Sequence, residues 1–150
     1  MFERVSLEAF QSGLSWLIIL RKRPAFRTAF ADFDIEAVAR LDAADEARLL
    51  ADVGIVRNKA KIAATINNAR RILDEVPEGL DALLWSFAPV EHVRPKSLSE
   101  VAATSPEAIA LAKELRRRGF RFVGPTTAYA MMQATGMVDD HVSTCWRAGP

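Results

Sequence analysis

At 150 residues the chain is the length of a single domain, long enough to bury roughly two-thirds of the surface its unfolded form exposes. Half the residues are hydrophobic and 26% are charged, which excludes a disordered chain, and no apolar run approaches the roughly 18 residues of a membrane span. Twenty basic and nineteen acidic residues leave a net charge of +1, so bulk charge names no partner. One cysteine excludes an internal disulfide framework and fits a reducing cytosol. The first residues lack the basic, apolar and cleavage-site pattern of a secretory signal, so a cytoplasmic location is expected.

Twenty-five alanines and repeated 3.6-residue apolar periods predict an all-α protein, a bundle of about eight short helices in one domain over 1–150. Residues 2–11 read as the first helix, and Gly13 bends the chain before a second stretch to Arg21. Pro24 is placed as the first residue of a short helix ending near Phe30. Asp34 and Asp42 are expected N-caps for helices over 35–41 and 43–52. After Gly54 a long helix is predicted from Asn58 to Leu73, stopped before Pro77, and a short one over 80–87. Residues 88–96 look irregular, with Pro89 and Pro95 both hostile to a helix. Ser97 and Glu100 have capping-box spacing ahead of a short helix. Ser105-Pro106 opens the clearest helix, closed by Gly119, and Gly124-Pro125 opens another that Gly136 ends.

Three features suggest chemistry. The first is the run Leu49-Leu50, Val53-Gly54-Ile55 and Asn58 to Ile62, which has the layout of a helix-hairpin-helix. Its glycine turn would set backbone N–H groups at a helix N-terminus, a geometry suited to a phosphate. Between Val53 and Leu73 stand five basic residues (Arg57, Lys59, Lys61, Arg70, Arg71) and no acidic one. Further basic clusters are Arg21-Lys22-Arg23 and Lys113 with Arg116, Arg117, Arg118 and Arg121. Segregated charge of this kind is compatible with one basic face for a nucleic-acid backbone, and equally with cations complementing helix C-termini.

The second feature is a polar stripe, Glu8, Gln11, Ser12 and Ser15, at one-face helical spacing. It runs into Trp16-Leu17-Ile18-Ile19-Leu20, apolar on every side as in a helix buried all round. A solvated face and the wall of a pocket near Trp16 both fit, and a buried Glu8 would need partners or a raised pKa. The third feature is His141 and Cys145, four apart, which a helix would place on one face. Both are zinc-ligand types, but a structural site needs four ligands, and His92 is the only other histidine. No triad, Walker loop or dinucleotide fingerprint occurs.

Four ordered stretches carry a resemblance. They are Leu7-Glu8-Ala9-Phe10-Gln11-Ser12-Gly13-Leu14-Ser15-Trp16; Gly54-Ile55-Val56-Arg57-Asn58-Lys59-Ala60-Lys61-Ile62; Leu84-Trp85-Ser86-Phe87; and Gly119 to Thr127, continuing through Tyr129, Met132-Gln133-Ala134 and Gly136 to Asp140-His141. In these the chain resembles the DNA-3-methyladenine glycosylase I family over nearly its whole length. The resemblance implies a helix-hairpin-helix fold that binds alkylated double-stranded DNA as a monomer, in the cytoplasm on nucleoid DNA. It implies base excision of 3-methyladenine flipped from the stack into a pocket. Glu8 is implied as the catalytic and base-recognising carboxylate, with Gln11 and Trp16 beside it, and Gly54, Arg57 and Lys61 as the DNA-backbone hairpin. Related helix-hairpin-helix glycosylases carry an Asp after the hairpin region; here Gly124-Pro125-Thr126-Thr127 contains no carboxylate.

The sequence also departs from the family. The family opens with an Arg-Cys-x-Trp segment and a Tyr-His-Asp-x-Glu-Trp-Gly motif, and neither occurs here. Those motifs supply a Cys and a His to a zinc site and a tyrosine to the pocket, so His141 and Cys145 would be half a metal site. No cofactor is expected to be required, and zinc is expected only where the full ligand set is present. The expected activity is that of a 3-methyladenine glycosylase, which absence of the N-terminal segment with its pocket tyrosine would impair; the alternative is a non-catalytic helix-hairpin-helix DNA-binding protein or a truncated paralogue.

Overall fold

The computed structural model describes residues 1–142 and 144–147. Among these residues it contains eight α-helices and no strand: α1 (Phe2–Gln11), α2 (Trp16–Ala29), α3 (Ile35–Ala39), α4 (Ala43–Ala51), α5 (Lys59–Glu75), α6 (Leu80–Trp85), α7 (Pro106–Arg117) and α8 (Pro125–Thr135). The N-caps expected at Asp34 and Asp42 are in place, and Asn58 and Ser105 cap two further helices. The Asp34 carboxylate accepts from the Ala37 N–H, Asp42 and Asp45 form a reciprocal capping box, Asn58 caps α5 and Ser105 caps α7. Ser97 makes no side-chain cap, and only a 3₁₀ turn over Leu98–Glu100 follows it.

Around α5 the bundle closes: α3 and α4 pack on it, α1 touches it, and α8 bridges α1 to α7. Phe10, Phe26 and Phe30 are fully buried at the junction of α1 and α2, with the Phe10 and Phe26 rings 4.6 Å apart. A carboxylate on α1 therefore lies close to the core by construction, since α1 is buried along most of its length.

Three expectations need correction. Pro24 does not start a helix but lies inside α2; both Pro24 and Leu20 are exposed, so the carbonyl that loses its N–H partner is on the wet side. The apolar start of α2 is not buried all round. Leu17, Ile18 and Leu20 are 56%, 42% and 53% exposed, because α2 presents only the Ile19, Phe26 and Ala29 face to the core. Finally, Glu8 to Ser15 is not one continuous stripe: α1 ends at Gln11, Gly13 takes φ +81°, and Ser15 caps α2 by accepting from the Ile18 N–H. One element had no signal in the sequence. Ala31, Asp32 and Phe33 form a left-handed turn with φ of 50°, 54° and 58°, secured by Phe33 stacking on Phe30 at 5.6 Å.

Candidate functional site

Glu8 stands on the inward face of α1 and is 1% exposed. One turn earlier on the same helix, Arg4 brings Nη2 to 2.7 Å from Glu8 Oε1. The contact lies off the hydrogen-bonding line: neither Glu8 oxygen has an aligned donor, and the buried Arg4 Nε has no acceptor. Burial pushes the Glu8 carboxyl above its usual range, and the Arg4 charge only partly opposes this. Trp16 begins α2 across the Gly13 turn and is half-buried, and the Arg4 guanidinium sits 4.5 Å from the centre of its ring. A buried acid, a planar cation and an aromatic face are thus assembled in sequence.

Arg4 and Trp16 line one side of an open cleft of about 450 Å³, and Leu98, Gln133, Val138 and His141 line the rest. Glu8 does not face this cleft; it borders a small void of about 10 Å³ among α1, α7 and α8, room for no more than one water. Asp140 anchors the cleft wall, accepting from the Tyr129 hydroxyl at 2.8 Å and from Gln133 Nε2 at 2.7 Å, and pairing with His92 Nε2 at 3.0 Å. Burial first, then Asp140, pushes the Tyr129 phenol up to about 12.

The other expected residues fall in several places. Gln11 turns back on its own chain, its amide donating to the Leu14 carbonyl at 2.7 Å, so it braces the Gly13 turn. The hairpin between α4 and α5 is formed. Gly54 donates its N–H to Asp52 Oδ1, and an added Cβ would lie 3.0 Å from Ala25 Cβ on α2, so only glycine lets the hairpin sit this close. Lys22 ties the turn to α2 by donating to the Val53 and Gly54 carbonyls. Arg57 and Lys59 are exposed on this edge. Lys61 is not: it is 6% exposed, and its ammonium donates to the Phe10 and Ser12 carbonyls at the end of α1. Its expected place in a phosphate contact is therefore corrected to an internal tie, because the last carbonyls of α1 claim the ammonium.

Much of the C-terminal basic cluster is also engaged internally. Arg117 and Arg118 both bind Glu114, whose carboxyl they hold down at about 2, and Arg116 donates to the Val123 carbonyl. The expected helical pairing of His141 with Cys145 is absent. His141 lies in irregular chain with its Nδ1 2.7 Å from Asp139 Oδ1, and Cys145 lies in a separate turn. Among the described residues no group of three or more His, Cys, Asp or Glu side chains is arranged to hold a metal ion. The residues present do not fit a zinc site, and no chemistry is assigned to one.

Arg4 is the site residue that the sequence reading missed. Its signal is the four-residue spacing to Glu8, which sets the two on one face of α1.

A helical bundle with a glycine hairpin on one edge defines a helix-hairpin-helix protein, in which the Arg4 guanidinium links the buried Glu8 to the Trp16 indole at the cleft. The family model described as "Methyladenine glycosylase" matches residues 1–148. The chain is 42% identical to DNA-3-methyladenine glycosylase 1 of Escherichia coli (strain K12), over 97% of its own length and 80% of that protein. It is 38% identical to the DNA-3-methyladenine glycosylase of Haemophilus influenzae over the same shares. Among solved structures, a crystal structure of 3-methyladenine DNA glycosylase I superposes with a TM-score of 0.93 at 39% identity, covering 99% of this chain and 84% of that one. The Staphylococcus aureus 3-methyladenine DNA glycosylase I, solved for the structural basis of 3-methyladenine recognition, also gives 0.93, at 32% identity over 99% and 81%. The chain belongs to the methyladenine glycosylase family.

Proposed function

We propose that the protein is a DNA glycosylase that hydrolyses the N-glycosidic bond of 3-methyladenine in alkylated duplex DNA, as a monomer in the cytoplasm acting on nucleoid DNA. The observation that carries this reading is Glu8, a carboxylate 1% exposed with no aligned donor, linked to the Trp16 ring by the Arg4 guanidinium that contacts both. An anion and a π-face suit a cationic purine, and adenine methylated at N3 in DNA carries a positive charge. Membership in the family supports the same activity.

The chemistry asks little of the protein. The cationic base leaves carrying the glycosidic electron pair, water adds to the anomeric carbon, and the water's proton is released to solvent. No side chain has to protonate the leaving group, which agrees with the absence of a carboxylate from Gly124 to Thr127. Flipping the nucleotide costs a few kcal/mol, and the Glu8–Trp16 pocket offsets that cost selectively for the damaged base. Arg57, Lys59 and the Gly54 turn lie on the edge that would meet the DNA backbone, positioning the duplex and reading no sequence.

Release of free 3-methyladenine from methylated duplex by wild type and Glu8→Gln tests the reading. Release by wild type that falls at least tenfold in Glu8→Gln, with duplex affinity unchanged, is the expected result. Duplex binding without release by either protein would replace the proposal with a non-catalytic DNA-binding protein.

A further inference from the structure

Arg4 presents to Glu8 and Trp16 what a cationic purine would present: a flat, delocalised cation 2.7 Å from a carboxylate oxygen and 4.5 Å from the centre of an indole ring. Its polar atoms are only partly satisfied there. Nη2 is 2.7 Å from Glu8 Oε1, yet the buried Nε has no acceptor and neither carboxylate oxygen has an aligned donor. Charge and stacking hold the guanidinium there, without the paired, directed hydrogen bonds of a bidentate Arg–carboxylate contact. Arg4 is also 31% exposed and faces the cleft, whereas Glu8 is 1% exposed and does not. Among the described residues Arg4 is the charged group that touches Glu8, and it stands between Glu8 and the cleft.

We propose that Arg4 is a resident surrogate for the damaged base, occupying the space between Glu8 and Trp16 in the empty protein and leaving it when a cationic purine enters. This rests on the pocket reading under Proposed function. Two consequences follow from electrostatics. While the pocket is empty, Arg4 spares Glu8 an unpaired buried charge. When a base enters, only a cation restores what Glu8 loses as Arg4 departs; a neutral adenine leaves the carboxylate uncompensated. Arg4 thereby lowers affinity for every purine by a common factor, as expected when the binding-competent state is only a fraction of the population, and leaves the preference for charged ones to Glu8.

The test is calorimetric titration of two probes into wild type, Arg4→Met, Glu8→Gln and the double variant. The probes are 3,9-dimethyladeninium, a fixed cation, and neutral 9-methyladenine. Methionine keeps the unbranched stem and removes the charged plane, and a thermal melt confirms folding of each variant. Arg4→Lys is the substitute if Arg4→Met does not fold; it keeps the charge beside Glu8, loses the stacked plane, and should tighten binding in the same direction by less. The expected result is that Arg4→Met binds both probes about tenfold more tightly with the cation-to-neutral ratio unchanged, and that Glu8→Gln abolishes the ratio in either background. If wild type binds the cation and removal of the Arg4 plane leaves affinity unchanged or weaker, the surrogate role is overturned while the pocket stands. If none of the folded proteins binds the cation, the pocket reading and the surrogate role fall together.

Discussion

The ammonium of Lys61 reaches across the bundle from α5 to donate to the Phe10 carbonyl at 2.9 Å, closing the end of the helix that carries Glu8. The same ammonium also takes the Ser12 carbonyl, so the first turn of α5 and the last turn of α1 are locked together. The helix that begins at the hairpin thus fixes the position of the recognition helix. Lys61→Met keeps the stem and deletes the tie, and should destabilise the fold by on the order of 2 kcal/mol, since charged hydrogen bonds to otherwise unsatisfied carbonyls are lost. Denaturant melts measure this.

Arg57 and Lys59 should behave in the opposite way. Both are exposed at the hairpin edge, so Arg57→Ala or Lys59→Ala should leave stability nearly unchanged and reduce the slope of log affinity against log salt by about 1. Duplex titrations over a range of salt provide the slope, and Lys61→Met should leave that slope where it was.

Gly54→Ala should disturb the hairpin without touching the pocket. The new methyl would lie 2.9 Å from Asp52 Oδ1 and 3.0 Å from Ala25 Cβ, and the second of these is fixed on a helix. The turn must move away from α2, stretching the two Lys22 hydrogen bonds. Weaker duplex binding with unchanged affinity for the free base is the expected outcome.

Two carboxylates bend the pH dependence of stability in opposite directions. Folding raises the Glu8 pKa by burial, so the folded chain holds the extra proton, and stability declines as pH rises from about 4.5 through the elevated value. Glu8→Gln cannot titrate, so its melting temperature relative to wild type should climb across that interval. Folding lowers the Glu114 pKa to about 2 through Arg117 and then Arg118. Its contribution is present above about 4.5 and disappears as pH falls toward 2, so Glu114→Gln should flatten the acid limb of the stability profile. Melting curves from pH 2 to 8 separate the two effects.

Local rules made most of the fold legible. Asp34, Asp42, Asn58 and Ser105 each mark a helix start by a side-chain cap, which depends on neighbours within three residues. What sequence could not give were outcomes decided by distant partners. Lys61 looks like one more cation beside Arg57 until the end of α1 is placed against it. The left-handed turn at Ala31–Phe33 follows from Phe33 finding Phe30 and the core, not from any residue preference for that backbone. Pro24 reads as a helix start because its neighbours do not reveal that it faces water. At the site, Glu8 and Trp16 were legible through resemblance. Arg4 was legible in principle through its spacing, but its place over Trp16 depends on how the Gly13 turn sets α2 against α1.

On this reading a methylated purine binds between α1 and the start of α2. Chemical-shift mapping of 3-methyladenine binding to isotopically labelled protein locates it. The largest changes should fall on the Trp16 indole and the Arg4 guanidinium, with the Val138 and Ala130 methyl groups of the cleft following, and should vanish in Glu8→Gln. Changes centred elsewhere on the bundle, or identical in Glu8→Gln, would contradict it.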